Sequence, residues 1–179
     1  MTDFTNAVNA ERILAVLGNG KKKYYEINDN LLRFWFTYIY HNKSALQMVG
    51  PKAFFDQHVA PTLLTEYVPH RFEELCRSFF SRLARNGQLP GITNIGTYYY
   101  DDSVKHQNGE FNVALEFGNK YQIYEAKYYR KPIALSEIHH EIVQVQAIES
   151  LNIVQAGFIA VNGFEKKDER YSYYNGEDL

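Results

Sequence analysis

Between Glu110 and Tyr129 the chain reads E-F-N-V-A-L-E-F-G-N-K-Y-Q-I-Y-E-A-K-Y-Y. Phe111, Val113, Leu115 and Phe117 alternate with Glu110, Asn112, Ala114 and Glu116, the period-two signature of a strand with one apolar face. Gly118-Asn119 is a two-residue hairpin turn, so Tyr121 to Tyr129 is its antiparallel partner. This hairpin fixes the fold class, because a helix from about Pro69 to Arg85 precedes it and a helix from Ala134 to about Leu151 follows it. The first helix carries a stripe of Phe72, Leu75, Cys76, Phe79, Phe80 and Leu83, and Asn86-Gly87 stops it. Ile92 to Tyr100 reads as a strand, Asp101 to Gly109 as a polar loop and Val154 to Val161 as a last strand. The order from Pro69 is αβββαβ, an α/β domain with a mixed sheet. The tail from Glu165 is polar and reads as mobile.

The first 68 residues have a helical character. Val8, Ile13, Leu14, Val16 and Leu17 give a helical pattern over Ala7 to Leu17, ended by Gly18-Asn19-Gly20. Tyr24 to Ile27 is a short strand candidate. Asn28 or Asp29 caps a helix from about Asn30 to Tyr40, apolar nearly all round and so buried on most sides or part of an interface. Pro51 starts a short helix to about His58, and Pro61 a further piece.

Of 179 residues, 15 are Tyr and 12 are Phe, so much of the core is aromatic. The formal net charge is −2, and affinity for nucleic acid would have to come from a local basic patch. Cys76 is the only cysteine, which excludes an intramolecular disulfide and fits a reduced compartment. With no apolar run long enough to span a bilayer and no signal-peptide pattern, a cytoplasmic protein without membrane association is the expectation.

Chemistry concentrates on the hairpin. Glu125 and Lys127 share one face of their strand. Glu110 and Asn112 share one on the neighbour, and a register placing Asn112 beside Glu125 would gather them all. Hard oxygen ligands suit Mg²⁺, which activates water, and a lysine beside it steadies phosphate charge. The competing reading of Glu-x-Lys is a cross-strand ion pair. Lys127, Tyr128, Tyr129, Arg130 and Lys131 interleave cations with rings, a pattern suited to nucleic-acid backbone and base stacking. Lys21-Lys22-Lys23 reads as a solvated loop or a phosphate contact. Cys76 reads as a buried structural thiol, and His139-His140-Glu141 as a polar helix face, since adjacent helical residues diverge by about 100°.

The region from Pro69 to Val161 resembles the PD-(D/E)-x-K nuclease-like fold. More narrowly, nearly the whole chain is similar to the C-terminal domain of archaeal-type AAA ATPases, a domain that follows an ATPase module and a winged helix. The similarity rests on Y-Y-E-I-N-D-N-L-L-R-F-W-F-T-Y-I-Y-H-N-K-S from Tyr24 to Ser44, F-E-E-L-C-R-S-F-F from Phe72 to Phe80, I-G-T-Y-Y-Y from Ile95 to Tyr100, G-E-F-N-V-A-L from Gly109 to Leu115 and Y-E-A-K-Y-Y from Tyr124 to Tyr129. It implies a restriction-endonuclease-like core over residues 69–179, a winged-helix-like remnant with a linker helix over 1–44, and a helical linker over 45–68.

The resemblance also implies a catalytic set of Glu73, Asn112, Glu125 and Lys127, with Glu110, Asn112 and Glu125 as ligands for Mg²⁺ or Mn²⁺. Asn112 departs from the pattern, which has Asp there. An amide oxygen brings no charge, so ion affinity and cleavage should be weak or absent. No G-x-x-x-x-G-K-[ST] phosphate loop is present, so the chain is either a truncated relative or the last part of a longer protein. The expected partners are DNA or RNA, and an ATPase module or a second copy packed on the aromatic helix Leu31–Tyr40. The rival expectation is an inactive structural or partner-docking module.

Overall fold

The computed structural model describes residues 14–16, 27, 29–102, 107–146, 148 and 151–179. Two compact units are present. Residues 20–68, with the first 12, make one, and residues 13–19 join Pro69 onward in the other.

In the first unit, α1 (Asn30–Phe34) begins at Asp29, whose side chain accepts from the Leu32 amide at 2.8 Å. Wide π-helical turns follow at Trp35–Ile39, Phe55–Val59 and Leu63–Tyr67, around α2 (Lys43–Phe54) and α3 (Ala60–Thr62). Gly50 breaks α2 with a φ of 76°, a conformation open to glycine, and Pro51 restarts it. The core is Tyr38, Phe54 and Val59, packed against Phe34, Leu46, Leu63 and Tyr67. Residues on either side of position 44 therefore share one cluster. Trp35, Phe36 and Tyr40 keep about two-fifths of their surface exposed and Leu31 76%, so the apolar ring of this helix is only partly covered. The Tyr24–Ile27 strand candidate and Lys21–Lys23 lie outside the described residues, Ile27 apart.

The second unit is α/β. Its six strands, β1 (Leu14–Val16), β2 (Asn94–Asp102), β3 (Gln107–Phe117), β4 (Lys120–Lys127), β5 (Ile153–Ala160) and β6 (Ser172–Asn175), form one sheet in sequence order. Pairs β2–β3 and β3–β4 are antiparallel, and β1–β2, β4–β5 and β5–β6 parallel, so the sheet is mixed. Phe117 pairs with Lys120 across the Gly118-Asn119 turn, and Gly118 takes a φ of 68°. Helix α4 (Val68–Arg85) covers one face. Its Phe72, Cys76, Phe79 and Phe80 pack with Val113, Leu115, Tyr124, Ala126 and Ile159. Helix α5 (Leu135–Gln146) covers the other, where Ile138 and Ile142 meet Phe158 and Ala160.

Three sequence expectations are corrected. Leu14–Val16 is not helical but pairs with Thr97–Tyr99, where backbone pairing outweighs a short helical periodicity. Of the polar loop expected at 101–109, the described residues are strand, with Asp101 and Asp102 paired to Asn108 and Gln107. The tail is not wholly mobile. Tyr173 stacks on Phe158, and Tyr174 meets Phe79, Phe80 and Tyr124, so two adjacent tyrosines in a polar stretch, one on each face, build β6 onto the sheet.

Candidate functional site

The decisive local feature is a β-bulge. Gly96 pairs with Ala114 but Tyr98 with Phe111, so Asn112 and Val113 together oppose Thr97. One extra residue reverses side-chain parity. Val113, Leu115 and Phe117 face α4, whereas Phe111 crosses to the other side with Tyr98 and Ile123. The single apolar face expected for β3 is thus split in two. Arg77 of α4 pins the bulge, donating from Nη1 to the Asn112 carbonyl at 2.8 Å and to Thr97 Oγ1 at 3.0 Å.

Backbone pairing between β3 and β4 ends at Val113–Tyr124. Beyond it the buried Asn112 side chain fills the gap, its Oδ1 accepting from the Ala126 amide at 2.9 Å. The Asn112 amide thus lies against the peptide between Glu125 and Lys127. The carboxylates divide between the two faces. Tyr124 and Ala126 face α4, so Glu125 and Lys127 project toward α5. There Lys127 Nζ is 2.9 Å from Glu125 Oε1 and 2.9 Å from Glu141 Oε1. Glu73 and Glu110 stay together on the α4 side, and Glu73 also pairs with His70 at 3.5 Å.

Electrostatics follow from this packing. Burial pushes Glu125 up to about 7; Lys127 opposes the rise, and Glu141 and Glu73 add to it. Burial works against the charge of Lys127, but Glu125 and then Glu141 outweigh it and hold the ammonium above the ordinary lysine value. Burial raises Glu73, with His70 partly offsetting it. Tyr100 is raised by burial and then by Glu125 and Glu141, which places its hydroxyl in the same field. A cleft of about 310 Å³ opens beside Lys127 and Glu141, floored by Ile133, Ile138 and Phe158. Cys76 is fully buried, its thiol pushed up to about 12 by desolvation, as befits a structural residue.

Of the basic-aromatic segment, Lys127 is bound within the cluster and Tyr128 packs on Phe72. Tyr129, Arg130 and Lys131 are exposed, and Asn162 Nδ2 donates to the Tyr129 carbonyl at 2.6 Å to hold the turn. His140 meets Gln144 on α5, and its ring and Glu141 enter the cleft wall. Sequence reasoning missed Glu141, Arg77 and Tyr100 as members of the site. Glu141 was within reach of it, because a helix crossing from β4 to a parallel β5 must lie over the face that carries Glu125 and Lys127.

Residues 35–142 match the profile of the DUF234 family, archaeal and bacterial proteins of unknown function. The chain belongs to this family. No curated protein and no solved structure matches it. The DUF234 match spans the second half of the aromatic helix and continues through α4, β2, β3, β4 and the first two-thirds of α5. It therefore includes the bulge, the Glu125–Lys127 pair and Glu141. Among the described residues no three His, Cys, Asp or Glu side chains come close enough to hold a metal ion. No helix among them is long and apolar enough to cross a membrane.

Proposed function

We propose that the unit from Pro69 onward is a restriction-endonuclease-like domain that binds nucleic acid and cleaves it weakly or not at all. The observation that carries this is saturation of the residues a nuclease would use. Lys127 is shared at 2.9 Å by Glu125 and Glu141, and the Asn112 amide oxygen is given to the Ala126 N–H. The nuclease-like architecture is supported by the order α4-β2-β3-β4-α5-β5, with β3 and β4 parting beside the Glu-x-Lys strand.

The donor set does not fit a dedicated Mg²⁺ or Mn²⁺ site. Such ions need several hard oxygens in near-octahedral order. Here one candidate oxygen is neutral and hydrogen-bonded, another is held by an ammonium, and Glu110 lies with Glu73 on the other face. No hydrolytic step is assigned to a metal.

Nucleic-acid contact falls to Tyr129, Arg130 and Lys131. The Tyr129 ring, 42% exposed, offers a stacking surface beside two exposed cations. Each phosphate neutralised contributes a slope of about −0.7 to −0.9 in log K against log salt. Fluorescence anisotropy with labelled DNA and RNA, single- and double-stranded, tests this. Affinity should fall with salt, and Arg130→Ala with Lys131→Ala should flatten the slope by about two contacts. Salt-independent binding, or a double variant that binds like the wild type, would sink the binding half. Efficient Mg²⁺- or Mn²⁺-dependent cleavage by the wild type would sink the other.

The exposed Leu31, Trp35, Phe36 and Tyr40 favour a second reading for the helical unit, a docking surface for an ATPase module or another copy of the chain. Concentration-dependent sedimentation of the protein alone separates those occupants.

A further inference from the structure

The cleft beside Lys127 and Glu141 holds about 310 Å³, the size of a small-molecule site. Its floor of Ile133, Ile138 and Phe158 is apolar, and Ser136 and Glu137, exposed on α5, line its rim. Tyr129 lines it as well, with its ring 42% exposed. The chain leaves the cleft at Tyr129 and returns to it at Ile133, so Arg130 and Lys131 stand on a loop at its border. A second loop is tied to this one. Asn162 Nδ2 donates to the Tyr129 carbonyl at 2.6 Å, the Ile133 amide to the Gly163 carbonyl at 3.0 Å, and the Glu165 amide to the Ile133 carbonyl at 3.0 Å. The two loops follow the parallel neighbours β4 and β5, and the second adds Lys166 and Lys167, the latter held over the Phe164 and Tyr173 rings. Arg130, Lys131, Lys166 and Lys167 are exposed, and the carboxylate among them is that of Glu165.

We propose that this cleft takes one unpaired base of a single-stranded nucleic acid whose phosphates lie on the cations of the two loops. The proposal rests on the nucleic-acid reading above and names its substrate class. Charge sorts the ligand by depth. Inside, Lys127 is already shared by Glu125 and Glu141, and Glu137 adds a further carboxylate, so a phosphate is repelled there. On the loops four cations attract it. The part that enters is therefore uncharged, flat enough to lie against Tyr129 and Phe158, and able to donate to a carboxylate. A nucleobase has these properties, and the backbone that carries it supplies the anions. In a duplex the base is stacked and paired, so a single strand presents it at far lower cost.

Fluorescence anisotropy with two labelled strands of about ten nucleotides tests this, one of mixed sequence and one abasic throughout. The abasic strand keeps the phosphates and lacks the bases, so it separates base insertion from phosphate contact. The base-bearing strand should bind the wild type about tenfold more tightly. Ribo versions of both strands tell RNA from DNA as the source, and the gain in either supports the proposal. Tyr129→Ala, and Ser136→Trp, which fills the cleft from an exposed helix position, should each bring the two strands to equal affinity. Lys166→Ala should weaken both strands alike and lower the salt slope by about one contact. Amide NMR of the wild type serves where a variant fails to fold: Ser136–Ile138 should shift with the base-bearing strand and stay in place with the abasic one. Equal, salt-dependent binding of the two strands by the wild type overturns the base site and leaves the phosphate reading standing. A gain that survives both cleft variants also overturns it, and absence of binding by every strand overturns both readings.

Discussion

Replacing Asn112 tests the centre of the site. Its Oδ1 is the acceptor for the Ala126 amide at a point where β3 and β4 have ceased to pair, so no strand carbonyl takes its place. Asn112→Ala leaves a buried N–H unsatisfied, a loss of about 1–3 kcal/mol. In a chain of this size each kcal/mol lowers Tm by roughly 2–4 °C, so a fall of about 2–12 °C is expected. The assay is thermal unfolding followed by near-ultraviolet circular dichroism, which reports the tyrosine-rich sheet. Asn112→Asp keeps the acceptor and adds a charge beside Glu125. It should lower Tm at pH 8 in the absence of divalent ions and recover more than the wild type when Mg²⁺ is added. An Asn112→Ala protein with unchanged Tm refutes the structural account of the amide. An Asn112→Asp protein indifferent to Mg²⁺ refutes its placement in the charge cluster.

Lys127→Met leaves two partly buried carboxylates without their ammonium and should cost up to about 3 kcal/mol at pH 8. The loss should be smaller at pH 6, where a proton replaces the lost charge, and an equal loss at both pH values in chemical denaturation would count against the shared pairing. Gly157→Ala puts a Cβ 2.5 Å from the Tyr124 ring and 2.8 Å from the Ser172 carbonyl. It should cost about 1–3 kcal/mol by overpacking and loosen β6 first, seen as faster exchange at Ser172–Asn175.

The hairpin, α4, α5 and the parallel return strand were legible because each rests on local pattern: alternation, a two-residue glycine turn, a helical apolar stripe. The sequence also marked Glu125 and Lys127 as sharing a face, because alternation is a local property. It did not mark that Glu110 faces the other helix. That depends on the Asn112–Val113 bulge, and a bulge leaves a strand's composition unchanged. Nor did it reveal β6. Ser172–Asn175 has two tyrosines among polar neighbours, and their worth as strand residues appears only when Phe158 and Phe80 are across from them. Leu14–Val16 illustrates the same limit from the other side: three apolar residues suit a helix or an edge strand, and the parallel partner decides.

The bulge also explains why a family-type motif can be present in sequence and differently employed in space. Without it, Phe111 and Val113 would lie on one face, and the whole of β3 would keep a constant relation to β4. With it, Glu110 is carried to the α4 side, while Glu125 and Lys127 remain on the α5 side. Asn112, at the crossing point, reaches the β4 backbone between Glu125 and Lys127, and a neutral side chain suits that position. A carboxylate at 112 would add a negative charge to a cluster whose two carboxylates already share one ammonium, at a cost only a bound cation could offset. An amide accepts the same backbone hydrogen bond at 2.9 Å and adds no charge. The departure from the acidic pattern is therefore consistent with the surplus carboxylate supplied by Glu141. In this chain Asn112 and Glu141 belong to one arrangement, in which the strand gap is closed by a hydrogen bond and the ammonium is held by protein carboxylates.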